Sequence, residues 1–401
     1  MTGRSKNGVK VRAYEPTGPM TASALARVEA FVFRTPIKDP VRTSFGTMTE
    51  RAAVFVRVED SDGARGWGEI WCNFPNAAAE HRALLFGDIL APRVLGKPID
   101  DPVGLWAELD RALHVLRLQS GDAGAFSAAA AGLDLAIHDL RARKRGLPLW
   151  RALGGNDDSP VPVYASGINP GRAALDTVER TRAEGHRTFK LKIGFGEETD
   201  LGSVRPVASG LKSGERLMVD ANQAWDLATA CAMVPKLADF GLGWIEEPLM
   251  ADRPMAEWTQ VAAIAPARLA GGENVRGAGA FQAMIESGLF GFIQPDVAKW
   301  GGHSGCLPVA KAALAAGRTF CPHYLGGAIG LMHSLHLLAA VRGPGLLEVD
   351  ANANPLREGL LQNLLAVHDG CVALPGGQGL GLEPDLKPLA NLRSLHIERR
   401  A

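Results

Sequence analysis

Polar residues recur at regular intervals through the middle of this 401-residue chain, and their spacing constrains the fold more than any other feature. Successive members are 23 to 30 residues apart, and most of them close a short apolar run such as RLMVD or GFIQPD. One buried strand with its crossover helix needs about that length. The spacing predicts a TIM-like barrel of seven or eight βα units, with functional groups where the strands end. The series begins with Lys190 and Lys192, which share one strand, and continues with Asp220, Glu246, Glu273, Asp296 and His323.

The rest of the chain divides into an N-terminal unit and two terminal segments. Residues 26–150 begin with strand-like runs and continue with helical ones, which predicts an α+β capping domain ahead of a barrel at residues 155–375. Residues 1–25 are polar and lack the apolar core of a secretory signal, so we interpret them as a flexible extension. Residues 376–401, which start within the Gly-rich run PGGQGLGLEPD, should return towards the capping domain.

The composition argues against several classes of partner. Lys and Arg total 43, as do Asp and Glu, so the formal charge is zero and gives no electrostatic basis for binding nucleic acid or an anionic membrane. No apolar stretch reaches the roughly 18–20 residues of a membrane span. The five cysteines are scattered and form no CxxC pair, which argues against a disulfide framework. We therefore expect the protein in the reducing cytoplasm. We expect a small-molecule carboxylate substrate and a homo-oligomer.

Three carboxylates are spaced to share a metal ion. Asp220, Glu246 and Glu273 follow consecutive predicted strands, and neighbouring strands lie about 4.8 Å apart, so the side chains should converge. Carboxylates that close repel one another unless a cation compensates. Oxygen ligands suit a hard divalent cation, so we expect one Mg²⁺ per active site, with Mn²⁺ as the second choice. Any one of them alone is more simply a helix cap or an ion pair, but three in register favour a site.

Basic groups and a further carboxylate complete the candidate site. Lys190 and Lys192 lie two residues apart on one strand and point to the same side, where crowding should lower the pKa of one of them, as a general base requires. Asp296 and His323 follow adjacent strands and form a candidate dyad, in which the carboxylate fixes the imidazole tautomer. Glu348 should end the eighth strand, either as a proton donor or hydrogen-bond partner to the reacting oxygen or as an ion pair.

Taken in order, these motifs resemble those of the enolase superfamily, and of its mandelate racemase subgroup in particular. GWGE and LDLAIHDL in the first domain are followed by the KxK, DxN, EEP, GEN, PD and PH motifs. The runs KIGFGEETDL and FPNAA are also similar to those of sugar-acid lactone cycloisomerases, and there is some similarity to sugar-acid dehydratases. The resemblance covers nearly the whole folded chain and implies a barrel with a capping domain.

The resemblance also implies a role for each motif residue. Asp220, Glu246 and Glu273 would bind Mg²⁺. Lys192 would be the base on one face of the substrate, with the Asp296–His323 dyad on the other. The substrate carboxylate would be held by Lys190 and Asn222, and the enolate oxygen would be supported by Glu348.

Residues outside the motifs are expected to set the specificity. Residues 37–50 show no clear periodicity, which predicts a mobile cap loop closing over the metal site. Its side chains Arg42, Thr43 and Ser44 should reach the distal hydroxyls of the substrate. Trp71 and Trp300 are further candidates for substrate contact, and the Trp300 indole should narrow the mouth of the barrel.

The catalytic groups support removal of the proton α to a carboxylate, through an enolate that Mg²⁺ stabilises. Loss of a β-hydroxyl would then make the enzyme a dehydratase, reprotonation on the opposite face a racemase or epimerase, and loss of a ring oxygen a cycloisomerase. We expect a lyase that dehydrates a sugar acid, because the cap loop is polar. Isomerisation of a hydroxy acid, sugar acid or lactone is the alternative. A non-catalytic binding barrel is remote, since it would be expected to have lost a ligand or a base.

Overall fold

The computed structural model describes residues 23–361 and 364–401, so nearly all of the predicted extension at residues 1–25 lies outside the described residues. A four-stranded antiparallel sheet begins the described chain, with β1 (Leu25–Thr43), β2 (Gly46–Asp60) and β3 (Arg65–Ile70) in succession. The C-terminal strand β14 (Arg393–Arg400) pairs with β1, which gives the order β14-β1-β2-β3. The last residues of the chain therefore complete the sheet that the first described residues begin.

Residues 37–50 form a β-hairpin, so the prediction of an irregular loop was wrong. Strand β1 continues to Thr43 and β2 begins at Gly46, with Val41 paired to Met48 across the hairpin. The register shifts between Pro36 and Val41. An irregularity of this kind breaks the period-two alternation of side chains, which is why the pattern does not look like a strand.

Helices cover one face of this sheet. They comprise α1 (Ala78–Leu84), a π-helical segment (Leu85–Leu90), α2 (Ala91–Val94), α3 (Pro102–Ser120), α4 (Ala123–Lys144) and α5 (Leu149–Ala152). The side chains of Asp101 and Asp122 cap α3 and α4 by accepting hydrogen bonds from backbone N–H groups in the first turn. Strand β3 packs directly on α4, and a Cβ at Gly66 would lie only 2.2 Å from the Ala136 carbonyl oxygen. Small residues on both elements allow this close approach.

Eight parallel strands form the barrel, which confirms the predicted fold class. They are β4 (Val161–Ile168), β5 (Thr188–Lys192), β6 (Arg216–Asp220), β7 (Ile245–Glu246), β8 (Leu269–Gly271), β9 (Phe290–Ile293), β10 (Thr319–Phe320) and β11 (Leu347–Asp350). Strands β4 to β10 pair in chain order, and β11 returns to pair with β4. Two short antiparallel strands, β12 (Val367–His368) and β13 (Cys371–Val372), extend the β4 edge.

Helices connect the barrel strands on the outside. They are α6 (Ala173–Ala183), α7 (Glu197–Ser209), α8 (Leu227–Met233), α9 (Met255–Ile264), α10 (Ala278–Ser287), α11 (Gly302–Ala315), α12 (Ala328–Val341) and α13 (Pro355–Leu361). Short 3₁₀ segments follow at Val234–Phe240 and Lys387–Leu392. Within the described part of the chain, no helix combines the length and apolar character needed to cross a membrane.

An apolar layer fills the barrel beneath its polar mouth. Met218 and Trp244 each lie two residues before a carboxylate, so their side chains occupy the same interior face one layer deeper. They cluster with Tyr164 and Cys321, and the rings of Tyr164 and Trp244 meet edge to face at 5.3 Å. This layer fills the interior of the barrel below the polar groups.

Candidate active site

The predicted polar residues converge at the carboxyl ends of the barrel strands. Strands β5, β6 and β7 end on Lys192, Asp220 and Glu246, which are paired in register across neighbouring strands. All of these side chains are buried beneath the capping domain. The loops that leave the next three strands carry Glu273, Asp296 and His323.

Lys190 lies at the centre of a buried ion-pair cluster. Its Nζ is 2.5 Å from Glu246 Oε1, 2.8 Å from Glu348 Oε1 and 3.5 Å from Asp220 Oδ2, with only 1% of the side chain exposed. Burial alone would lower the pKa of Lys190, but the three carboxylates outweigh it and raise the pKa well above its usual value. The contacts of Lys190 are therefore with protein carboxylates, and none of them supports the predicted role at the substrate carboxylate.

Lys192 lies in a different environment, although it is on the same strand. Its Nζ donates a hydrogen bond to Asn222 Oδ1 at 3.0 Å, and Asn222 Nδ2 donates in turn to Asp220 Oδ2 at 3.0 Å. Burial lowers the pKa of Lys192, the charge of Lys190 adds to the shift, and Asp220 opposes it. A lysine with a lowered pKa is closer to the neutral form that a general base requires.

Strained backbone surrounds this part of the site. Asn222 and Gln223 have φ values of 44° and 63°, and Glu247, directly after the Glu246 strand end, has a φ of 39°. Residues other than glycine adopt such conformations at a cost, and they persist where the surrounding structure holds them. Here the strain turns the chain sharply at the ends of β6 and β7, which sets the positions of Asn222 and Glu247.

The predicted dyad is in hydrogen-bonding geometry. His323 Nδ1 lies 2.7 Å from Asp296 Oδ2, and Asp296 Oδ1 accepts the Ala298 N–H at 2.8 Å. His323 Nε2 lies 2.5 Å from Glu273 Oε2. Burial would lower the pKa of His323, but Glu273 first and then Glu348 and Asp296 outweigh it and raise the pKa. Both imidazole nitrogens thus face carboxylates, which favours the charged form of the ring.

The contacts of Glu348 are those of an ion pair. Glu348 Oε1 accepts from Ser166 Oγ at 2.5 Å and faces Lys190, while Oε2 accepts the Tyr324 N–H at 2.8 Å. Burial would raise its pKa, but the charges of Lys190 and His323 lower the pKa to about 2. A carboxylate held ionised in this way is poorly suited to donate a proton, so the contacts favour the ion-pair alternative.

The balance of acidic and basic side chains at the site favours a divalent cation. Burial raises the pKa of Glu246 to about 8 and raises that of Glu247, and the repulsion of neighbouring carboxylates adds to both shifts. The buried cationic partners are Lys190, Lys192, Lys299 and His323. The carboxylates outnumber these cations by two, and they are Asp220, Glu246, Glu247, Glu273, Asp296 and Glu348. When all six carboxylates are ionised, as metal binding requires, an all-oxygen donor set with an excess of two negative charges fits a hard divalent cation.

The carboxylates of the three predicted ligands are not all turned towards one common point. Glu246 is turned towards Lys190 and Glu273 towards His323, so each of these two carboxylates contacts a basic side chain. Among the described residues, the one group of three acidic, His or Cys side chains whose ligand atoms lie within 4.8 Å of one another is on the capping sheet, around Glu29. Glu29 lies 2.7 Å from Arg57, so that group is an ion-pair network.

The sequence reasoning missed Lys299. Its Nζ lies 3.1 Å from Glu273 Oε1 and 4.3 Å from the ring centroid of Trp71, and the side chain is buried. The Trp71 ring also packs on Arg82, whose guanidinium carbon lies 5.3 Å from the ring centroid, and contact of Trp71 with substrate stays a prediction. Lys299 stands three residues after Asp296 in the same motif, and this position could have identified it.

The hairpin tip contacts the barrel through groups that were predicted to bind substrate. Ser44 Oγ donates to the Asn222 carbonyl oxygen at 2.9 Å, and Thr43 Oγ1 donates to the Gly46 carbonyl oxygen at 2.9 Å. The Arg42 side chain is exposed, while its backbone N–H donates to Asn169 Oδ1 at 3.2 Å. The two hydroxyls thus fix the turn and its contact with the barrel, whereas the Arg42 side chain is exposed.

Trp300 belongs to the hydrophobic core, which corrects its predicted place at the mouth. Its ring is 6% exposed and packs against Trp106 of α3 at 6.0 Å and Phe281 of α10 at 5.2 Å. The Gly305 position in α11 leaves space for both indoles, since a Cβ there would lie 3.2 Å from Trp300. The indole joins the capping domain to the barrel and does not narrow the mouth.

Comparison with known proteins is consistent with this architecture. Residues 27–154 match the model of the mandelate racemase/muconate lactonizing enzyme N-terminal domain, and residues 173–388 match that of the enolase C-terminal domain-like family. D-galactarolactone cycloisomerase from Agrobacterium fabrum is 31% identical over 372 residues, which cover 88% of this chain and 94% of that protein.

Two solved structures extend the comparison. A Bordetella bronchiseptica RB50 protein described as a mandelate racemase/muconate lactonizing enzyme is 50% identical, with a TM-score of 0.87 over 93% of this chain and 100% of that one. L-talarate/galactarate dehydratase from Salmonella typhimurium LT2, solved with Mg and L-lyxarohydroxamate, is 27% identical, with a TM-score of 0.83 over 99% of this chain and 100% of that one.

Proposed function

Because the chain belongs to the mandelate racemase/muconate lactonizing enzyme family of the enolase superfamily, we propose that it is a Mg²⁺-dependent lyase that dehydrates a sugar acid. The observation that carries this proposal is the pairing of two different acid/base groups over one set of carboxylates. Lys192 ends β5 and the Asp296–His323 dyad follows β9 and β10, and four strands lie between β5 and β10 along the sheet. The two groups thus approach the mouth from different sides.

Each residue has a defined task in this reaction. Asp220, Glu246 and Glu273 would hold Mg²⁺, which when bound supplies the positive charge that stabilises the enolate of the substrate. Lys192 Nζ, with its lowered pKa, takes the proton from the α-carbon. The His323 imidazolium gives a proton to the departing β-hydroxyl, which leaves as water.

Residues next to the acid/base groups keep these groups in place. Asp296 accepts the His323 Nδ1–H and thereby leaves Nε2 as the nitrogen that exchanges its proton with the substrate. Asn222 Oδ1 accepts a hydrogen bond from Lys192 Nζ at 3.0 Å and so fixes its position. The apolar layer below, with Tyr164 and Trp244, excludes water from the underside of the site. A water-poor site strengthens each of these electrostatic contacts.

Cycloisomerisation of a sugar-acid lactone is the second candidate, and the similarity to D-galactarolactone cycloisomerase favours it. Both reactions begin with loss of the α-proton and continue with loss of an oxygen from the β-carbon. They differ in whether that oxygen is a hydroxyl or belongs to the lactone ring. Racemisation or epimerisation would require reprotonation of the enolate on its opposite face.

A library of sugar acids and their lactones, incubated with Mg²⁺, separates these outcomes. Dehydration gives loss of water by mass spectrometry together with a ketone, because the enol product tautomerises. Cycloisomerisation gives a ketone at unchanged mass, and epimerisation gives neither but changes the optical rotation. Lys192→Ala is the matched inactive control. The proposal would be contradicted if no acid in the library reacted and none exchanged its α-hydrogen.

The setting of the enzyme is also part of the proposal. All five cysteines are free, which fits the reducing cytoplasm, and four of them have sulfur groups with raised pKa values because of burial. We further propose a homo-oligomer. Light scattering on the eluting protein would measure its mass, and the mass of a single chain would contradict this part.

A further inference from the structure

The GWGE motif contains a buried carboxylate that the proposed reaction does not use. Glu69 is the fifth residue of β3 in the capping domain and is 2% exposed. Its partners are in the barrel, where Oε1 accepts the Gly327 N–H at 2.6 Å and Oε2 accepts the Gly330 N–H at 2.8 Å. Both N–H groups belong to the start of α12, which has no capping side chain of its own.

The segment just before α12 is the loop that carries His323. Three side chains hold the backbone of this loop from outside. Asn73, four residues after Glu69, donates to the Leu325 carbonyl oxygen at 2.6 Å. Asn354 donates to the Gly326 carbonyl oxygen at 2.8 Å, and Glu348 accepts the Tyr324 N–H. Side chains from other elements therefore hold the backbone of residues 324 to 327, with one hydrogen bond to each residue.

The same capping segment also reaches the loop that carries Asp296. The Trp71 N–H donates to the Ala298 carbonyl oxygen at 3.3 Å, and the Trp71 ring packs on Lys299. Residues 69–73 thus contact both the loop that carries His323 and the loop that carries Asp296, and we call these residues the capping strap. The contacts fit closely, since a Cβ at Gly327 would lie 2.7 Å from Glu69 Oε1.

We propose that the capping strap positions the Asp296–His323 dyad, with Glu69 and Asn73 as its positioning residues. The capping domain would then have a second task besides contacting substrate, because one face of the acid/base machinery depends on it. Lys192 does not share this dependence, since it is at the end of β5 and its partner Asn222 follows β6. This inference rests on the proposed function only in taking His323 as an acid/base group.

Two variants test the strap, and one control matches them. Glu69→Gln keeps the shape of the side chain but replaces a carboxylate oxygen by an amide nitrogen that cannot accept from a backbone N–H. Asn73→Ala removes the hydrogen bond to the Leu325 carbonyl oxygen at a partly exposed position. Glu29→Gln is the control, because Glu29 is an equally buried carboxylate of the same sheet whose partners Arg57, Arg27 and His396 all lie within the capping domain.

The first measurement needs no substrate. In protein carrying ¹⁵N-labelled histidine, the His323 ring signals are assigned with His323→Asn. Both strap variants should shift or broaden the His323 signals, because the loop loses a fixed backbone contact, and Glu29→Gln should leave them unchanged. Unchanged His323 signals in both folded strap variants would overturn the proposal. If Glu69→Gln does not fold, Asn73→Ala decides.

The second measurement uses the two faces of the substrate. With each of the two α-epimers of a turned-over acid, exchange of the α-hydrogen in D₂O reports on one base at a time. Displacement of a catalytic group by about 1 Å can cost about 100-fold, so His323-side exchange should fall by about that factor in Glu69→Gln. Lys192-side exchange should stay within about twofold of the parent.

The outcomes distinguish the strap from the proposed function. An equal loss on both sides would overturn the strap, since it would show a general structural role for Glu69. A parent that neither turns over an acid nor exchanges its α-hydrogen would contradict the proposed function instead, and the ring signals of His323 would still decide whether the strap positions the imidazole.

Discussion

Lys190 and Lys192 lie two residues apart on β5, yet their ammonium groups have opposite electrostatic surroundings. Lys190 Nζ is shared among carboxylates within 3.5 Å, whereas Lys192 Nζ donates to the neutral amide oxygen of Asn222. The pKa of Lys190 is raised and that of Lys192 is lowered, in both cases after a desolvation effect that alone would lower them. One strand thus carries a permanent cation and a candidate base.

This difference predicts different costs of removing each charge. Lys190→Met would leave Glu246 and Glu348 buried without their shared cation, and breaking a buried pair in this way costs about 3–5 kcal/mol. Lys192→Met removes one hydrogen bond to a neutral group and should cost about 1 kcal/mol. Urea unfolding of both variants in metal-free buffer measures the two losses of unfolding free energy. Equal losses would contradict the assignment of Lys190 as the structural centre of the site.

Mg²⁺ binding should release a proton at neutral pH. Without a cation the pKa of Glu246 is raised to about 8, so at pH 7 this side chain is largely protonated, whereas a metal ligand must be ionised. The apparent affinity should therefore rise with pH up to about 8 and level off above it. Calorimetry at pH 7 in buffers of different ionisation enthalpy measures the proton count. Heat that does not depend on the buffer would contradict the prediction, and Glu29→Gln should behave as the parent.

Asp296→Asn should separate metal binding from acid/base chemistry. The amide can still contact His323 Nδ1 but no longer favours the tautomer and charge that the carboxylate holds. We expect turnover to fall by about 10³–10⁴-fold, as loss of a tautomer-fixing carboxylate does in other enzymes. Mg²⁺ affinity should change little, because the Asp296 contacts named above are with His323 and backbone N–H groups. Loss of Mg²⁺ binding by calorimetry would instead make Asp296 a ligand.

Two residues of the hairpin tip should have different effects, Arg42 on substrate specificity and Ser44 on the contact between the tip and the barrel. Arg42→Ala removes an exposed cation at the mouth, and we expect a rise of about tenfold in KM for a sugar acid, the size of one charge-assisted hydrogen bond. A small α-hydroxy acid without distal hydroxyls should be unaffected. Ser44→Ala frees the tip from Asn222 and should impair both substrates alike. Steady-state kinetics with the two substrates checks this, and an Arg42→Ala effect of equal size on both would refute it.

The sequence predicted the barrel and the site residues best where a single physical rule governs them. The length of a βα unit limits the spacing of strand ends, so the spacing alone was enough to place Asp220 and Glu246 where their strands end. That these side chains lie together follows directly, because strand ends of a parallel barrel share one edge. Their roles as ligands remain predictions that the experiments above address.

What the sequence could not predict depends on depth and orientation. Lys190 and Lys192 look alike in a KxK motif, and only their depth in the barrel decides which of them meets the carboxylates. Trp300 follows a sharp turn, and a tryptophan there can face the mouth or the core with the same local sequence. Glu69 has its partners about 260 residues away in the chain, a distance over which no local pattern gives information.

The most direct test of the central claim is exchange of the substrate α-hydrogen in D₂O with Mg²⁺ present, measured in the parent, in Lys192→Ala and in His323→Asn. The claim is that these two side chains are the acid/base groups on opposite faces of one substrate. We predict that the parent incorporates deuterium, that each variant loses the exchange or turnover that depends on its own side chain, and that the double variant exchanges none. Exchange and turnover at the parent rate in both single variants would show that neither side chain is the base.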